Sequence, residues 1–182
     1  KINKLKVSVS LITAEGFKKS YPTLNMNRWG FSLATKHCSK KTLFLRVRKP
    51  EGLTFSLPPS FYYTFVHELF HIFRYEMDPE NFENNFWSEE GMADHIAYKL
   101  TEETQPPIFF IAPYLNAPTP MRLFGSRHDY NQTNDPRASR SYYGQSFLFF
   151  DFLEKRLSDS YNMSDIYTLK NPNIETLSQF FN

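Results

Sequence analysis

At 182 residues the chain is the size of a single domain and is long enough to bury a sizeable core. Phe, Tyr and Trp make up 18% of it, which excludes a disordered chain and predicts an interior built largely from aromatic rings. Its 21 basic and 19 acidic residues leave a net charge of +2 and are scattered, so neither nucleic acid nor an anionic membrane surface is indicated as a partner.

Residues 5–12, LKVSVSLI, and 43–48, LFLRVR, alternate with the period of half-buried strands. Between them, GFKKSYPTLNMNRWG is broken by Pro22 and Gly30, with room for a short helix, a turn and a further strand near 31–35. Cys38, the only cysteine, excludes an internal disulfide and a Cys-based metal cluster, and reads as an ordinary half-buried thiol. LFLRVR is read either as a sheet edge to which an extended peptide adds or as an interior strand.

Pro58, Pro59 and Ser60 predict a helix start, and Tyr62, Val66, Leu69, Phe70 and Phe73 recur at helical spacing up to about Tyr75. Asp78 and Pro79 break the pattern. Ser88 is the expected N-cap of a second helix over about 89–103, with Met92, Ala93, Ile96, Ala97 and Leu100 as its buried stripe. The stretch 104–141 carries six prolines and reads as a lid or binding loop in which IFFIA has some order. A third helix is expected over 141–157 and a short last one over 174–181, and no run of about 18 apolar residues provides a transmembrane segment.

His67, Glu68, Leu69, Phe70 and His71 spell HExxH inside the first of these helices. Two imidazoles four residues apart leave one helix face a turn apart and can hold one cation, while Glu68 reaches a water on that cation as a general base. A single helical His is more often a hydrogen-bonded core or surface residue. With 5 His and 12 Glu in the chain, HExxH arises by chance about 0.01 times, so the pattern needs a second feature. That feature is WSEEGMAD, residues 87–94, which opens the next helix and, with 18 residues between His71 and Glu90, can bring Glu90 back to the histidines as a third ligand. Three protein ligands leave a fourth position for water, the mark of a catalytic zinc rather than a structural one. Asp94, one turn after Glu90, is placed to accept from the far nitrogen of a ligand histidine; its bland reading is a solvated helix charge.

HELFH followed by WSEEGMAD resembles the gluzincin zinc metallopeptidases, in particular the peptidase MA-like family, whose usual form is HExxH, a spacer near this length, then WxxEGxA. Trp87, Glu90, Gly91 and Ala93 match position by position, which implies that Glu90, not Glu89, is the ligand, and that Gly91 lets helices approach closely. Tyr143, Gly144, Gln145 and Ser146 fit the family's Tyr-x-Gln-Ser context, implying that Tyr143 donates to the oxyanion of the tetrahedral intermediate. Tyr142 is its competitor, and His128 is a further candidate for that work. Arg127, Arg137 and Arg140 are candidates to hold a substrate carboxylate, against the commoner reading of solvated charge. The resemblance spans about residues 43–157.

The resemblance implies an α+β, zincin-like fold: a small mixed β-sheet packed on the HExxH helix, with further C-terminal helices. It also implies one zinc per chain, a peptide or protein substrate, and hydrolysis by zinc-activated water with Glu68 as base. The GxMEN element of the large gluzincin aminopeptidases has no counterpart here, so an endopeptidase is expected. The alternatives are a catalytically weak or inactive zinc-binding interaction domain and a hydrolase of non-peptide amides. The expected setting is extracytoplasmic or secreted. Asn131-Gln-Thr133 and Asn162-Met-Ser164 are glycosylation sequons only in a eukaryotic secretory pathway.

Overall fold

The computed structural model describes residues 7–13, 15–16, 19, 30–33, 41–47, 60–82, 84–102, 105–116, 136–157 and 160–181. Three extended segments come first, β1 (Val7–Thr13), β2 (Gly30–Leu33) and β3 (Lys41–Val47). Helices follow: α1 (Phe61–Met77), α2 (Phe86–Thr101), α3 (Gln105–Asn116), α4 (Pro136–Leu157), α5 (Met163–Tyr167) and α6 (Ile174–Phe180).

The expectation of an α+β fold is corrected. Among residues whose side chains are described, 76% are helical, with a single short strand at 7–10 and no sheet. The backbones of the extended segments do pair in the order β1-β3-β2, β1 parallel and β2 antiparallel to β3. The described core, however, belongs to the helices, because they carry its aromatic rings. Phe70 of α1, Trp87 of α2, Phe150 of α4, Tyr167 of α5 and Leu177 of α6 belong to one buried cluster. Each such ring or branched chain contributes about 1.5–3 kcal/mol on burial. Of the strand residues whose side chains are described, Val7 packs with Phe61, Phe65 and Leu69 around Ile72 of α1. The reading of LFLRVR as a sheet edge is also corrected, since β3 is paired on both sides and has no free ladder to offer a peptide.

Other boundaries shift for local reasons. α1 starts after Ser60, whose φ of 64° is left-handed and whose carbonyl accepts from Thr64 N at 2.9 Å. It ends at Met77, where Asp78 turns out of the helix and Pro79 offers no N–H. Ser88 is not the N-cap of α2: that position is Asn85, and the Ser88 hydroxyl donates back to the Asn85 carbonyl at 3.0 Å. Leu100, expected in the buried stripe, is 67% exposed, because α2 leaves the core before its last turn. Nor is 104–141 one long loop. α3 forms across Pro106, Pro107 and Pro113, the first two in its opening turn where a missing N–H costs nothing. α4 starts at Pro136, five residues earlier than expected, and α5 was not expected at all.

Close approaches between helices depend on two glycines. A Cβ at Gly91 would sit 2.8 Å from Ser146 Cβ and 2.9 Å from the Phe150 ring, so α2 meets α4 there as the resemblance implied. A Cβ at Gly144 would strike the Phe110 carbonyl, so α4 lies directly on the backbone of α3.

Candidate metal centre

His67 and His71 leave α1 on one face, four residues apart, and Glu90 comes from the first turns of α2. Their ligand atoms converge. His67 Nε2 and His71 Nε2 are 3.0 Å apart, and Glu90 Oε2 lies 3.2 Å from the first and 3.3 Å from the second. Donors bound at about 2.0–2.2 Å to one tetrahedral ion stand roughly 3.3 Å from each other, so this triangle has the dimensions of one face of a tetrahedral site. The three residues form a group within metal-binding distance. The donor set, two imidazoles and a carboxylate, is of a softness that suits divalent transition-metal ions.

The electrostatics point the same way. Burial opposes a charge on His67, but Asp94 and then Glu90 override it and raise its pKa well above the ordinary value of 6.5. Burial likewise favours a neutral Glu90, yet the two imidazoles hold its carboxyl well below the ordinary carboxylate range. The carboxylates of Asp94 and Glu90 thus favour positive charge beside them, which in the metal-free chain is a proton on His67.

Asp94 stands where the sequence placed it. Its Oδ1 is 2.8 Å from His67 Nδ1, which fixes the ring with Nε2 toward Glu90. The same carboxylate oxygen accepts from the hydroxyl of Tyr63 at 3.0 Å, and the Asp94 carbonyl lies 3.1 Å from that hydroxyl. Asp94 is 1% exposed, so the solvated-charge reading fails. Phe82 sets its ring edge-on to His71 at 5.7 Å and shields it.

Glu68 follows His67 on α1, and no described residue pairs with its carboxylate, which stays outside the ligand triangle. Tyr143 lies about two turns inside α4 rather than at its start, half-buried and stacked on Phe110 at 5.2 Å. Tyr142 is buried beside it. Arg127 and His128 lie outside the described residues, as do Cys38 and Asn131; Arg137 and Arg140 are on α4, their side chains outside the description. Trp87 is buried against Phe149 and Phe150, with its indole N–H lacking an acceptor among the described residues.

Four residues near the site were not anticipated. Tyr63 is one turn before His67 and was not among the residues that the helical spacing singled out. Arg74 and Glu89 form a fully buried pair: Arg74 Nε donates to Glu89 Oε2 at 2.9 Å and its Nη2 to Oε1 at 2.7 Å. Burial pushes the Glu89 carboxyl above its ordinary range even so. His95 is completely buried and meets the Tyr167 hydroxyl at 2.7 Å. Position alone could have flagged Arg74 and Glu89, since 15 residues apart and flanking the ligands on both helices, they carry opposite charges on faces that must meet. No protein-family model, curated protein or solved structure matches this chain.

Proposed function

We propose that the chain is a zinc-dependent metallopeptidase of the gluzincin type, acting on internal bonds of peptides or proteins. The observation that carries this reading is the triangle of His67 Nε2, His71 Nε2 and Glu90 Oε2, set in a motif pair that joins HExxH to WxxEGxA. Three ligands leave a position for water, and Glu68, without a partner among the described residues, follows His67 on the same helix.

When bound, zinc supplies a Lewis acid and a water of lowered pKa. His67, His71 and Glu90 would hold it, and Asp94, itself held by Tyr63, keeps the His67 tautomer that presents Nε2. Glu68 takes the proton from the attacking water and delivers it to the leaving amine nitrogen. Tyr143 donates its hydroxyl hydrogen bond to the oxyanion of the tetrahedral intermediate. The reaction needs no covalent intermediate with the protein.

The test is cleavage of a peptide library by the zinc-reconstituted chain and by Glu68→Gln. The expected result is internal cleavage by the parent and none by the variant, with zinc content equal in both. Inactivity of the zinc-loaded parent, or equal activity of the two, contradicts the proposal.

A further inference from the structure

We infer that the buried Arg74–Glu89 pair is the positioning element of the metal centre, setting the rotation of α2 against α1 that carries Glu90 to the two histidines; the inference rests on the metal reading of that site. Arg74 is three residues, about one turn, beyond His71 on α1, and Glu89 is the residue before Glu90 on α2. Neighbours on a helix point about 100° apart. Once Glu89 is fixed on Arg74, the direction of Glu90 is therefore fixed as well.

The fixing is tight. Arg74 is wholly buried and Glu89 is 2% exposed. The guanidinium uses Nε and Nη2 on the carboxylate, at 2.9 and 2.7 Å, in the two-pronged geometry that only an arginine provides. Its remaining nitrogen, Nη1, donates to the carbonyls of Tyr167 and Leu169 at 3.0 and 2.8 Å. Those carbonyls hold the guanidinium plane from the far side, so the pair has one orientation and not several.

Stability does not account for such a pair. A buried ion pair is commonly matched or exceeded in stability by apolar residues of similar volume, while its directional bonds set one register between helices. The ligand side of α1 and the ligand of α2 are what that register brings together. Asp94, one turn after Glu90, also reaches α1 through His67 and Tyr63, so the Arg74–Glu89 pair and the Asp94 contacts hold α2 at two points on either side of Glu90.

The experiment compares the parent chain with Arg74→Met/Glu89→Met, using cobalt(II) as the probe. Three quantities are read: melting temperature of the metal-free chain, cobalt affinity by chelator competition, and the visible absorption of the bound cobalt, which reports coordination geometry. The expected result is a metal-free melting temperature at or above the parent's, with cobalt affinity lower by about 10- to 100-fold and an altered spectrum. Parent-like affinity and spectrum in the double variant would overturn the inference and leave the metal reading intact; a parent that binds no cobalt would overturn both. Should the double variant fail to fold, Arg74→Lys carries the test, because it keeps the charge and loses the fork. Its cobalt affinity is expected to fall several-fold, and parent-like binding would count against the pair.

Discussion

Glu89 and Glu90 are adjacent on α2 and turn to opposite partners: Glu89 pairs with Arg74 at 2.7 Å, and Glu90 faces His67 and His71 at 3.2 and 3.3 Å. Removing either carboxylate has a different consequence. Glu90→Ala deletes a metal donor and is expected to lower zinc affinity by more than the roughly 10- to 100-fold typical of residues behind the ligands. Glu89→Ala leaves a guanidinium buried without its charge partner and is expected to cost about 3–5 kcal/mol, a fall in Tm of roughly 10 °C. Thermal melts of the metal-free chain and zinc titrations, done on both variants, check the split.

Asp94 and Tyr63 lie behind His67 in series, so their effects should be graded. Asp94→Asn is expected to weaken zinc binding by about 10- to 100-fold, because the ring loses the carboxylate that fixes its tautomer. Tyr63→Phe removes one hydrogen bond to that carboxylate, worth about 1 kcal/mol, and should weaken binding by only several-fold. Competition with a chromogenic chelator measures both, and a larger effect for Tyr63→Phe than for Asp94→Asn would reverse the order of the chain.

Much of this was legible in the sequence, and the parts that were not have physical causes. HExxH pointed to His67 and His71 because four-residue spacing on a helix is a geometric fact that needs no tertiary information, and WxxEGxA pointed to Glu90, which the fold brings beside them. Asp94 followed from the same spacing. The fold class did not follow: LKVSVSLI and LFLRVR read correctly as extended chain, but nothing in them says that the core is assembled by helices. Pro106, Pro107 and Pro113 read as loop punctuation, yet two of them sit in a first turn where proline is tolerated, and the packing of α3 on Gly144 holds the rest. Arg74 and Glu89 were not singled out from the sequence, although their positions beside the ligands on two facing helices could have flagged them.

Glu68 and Tyr143 are expected to act on the reaction and not on the metal. Glu68→Gln should keep zinc and Tm while lowering peptide hydrolysis by about 10²–10⁴-fold. Tyr143→Phe should lower kcat by roughly 10- to 1,000-fold with little change in metal affinity. Steady-state kinetics on a cleaved peptide decides it. Unchanged kcat in Tyr143→Phe, with loss in Tyr142→Phe, would move the oxyanion role to Tyr142.

His95 provides a pH signature away from the ligands. Burial lowers its pKa from the ordinary 6.5, outweighing the Glu154 and Asp151 carboxylates that favour its charged form; Lys99 and Lys155 oppose that form as well. His95 Nδ1 lies 2.7 Å from the Tyr167 hydroxyl, and its Nε2 lies 3.4 Å from Glu154. The unfolded chain binds this proton at higher pH than the folded chain. The stability that neutral His95 provides is therefore present above about pH 6.5 and is lost as pH falls from there toward the lowered folded value. Urea unfolding of the metal-free parent and His95→Gln at pH 7.5 and 5.5 is expected to show the larger acid loss in the parent. An equal loss in both would show that His95 is not the group responsible.

The central claim is that His67, His71 and Glu90 together hold one zinc ion, and metal content tests it most directly. The chain is saturated with zinc, dialysed against metal-free buffer and analysed for zinc beside His71→Ala treated identically. The account predicts about one zinc per chain in the parent and a loss of most of it in the variant, which lacks one of three donors. Absence of bound zinc in the folded parent, or equal zinc in the two proteins, would contradict it.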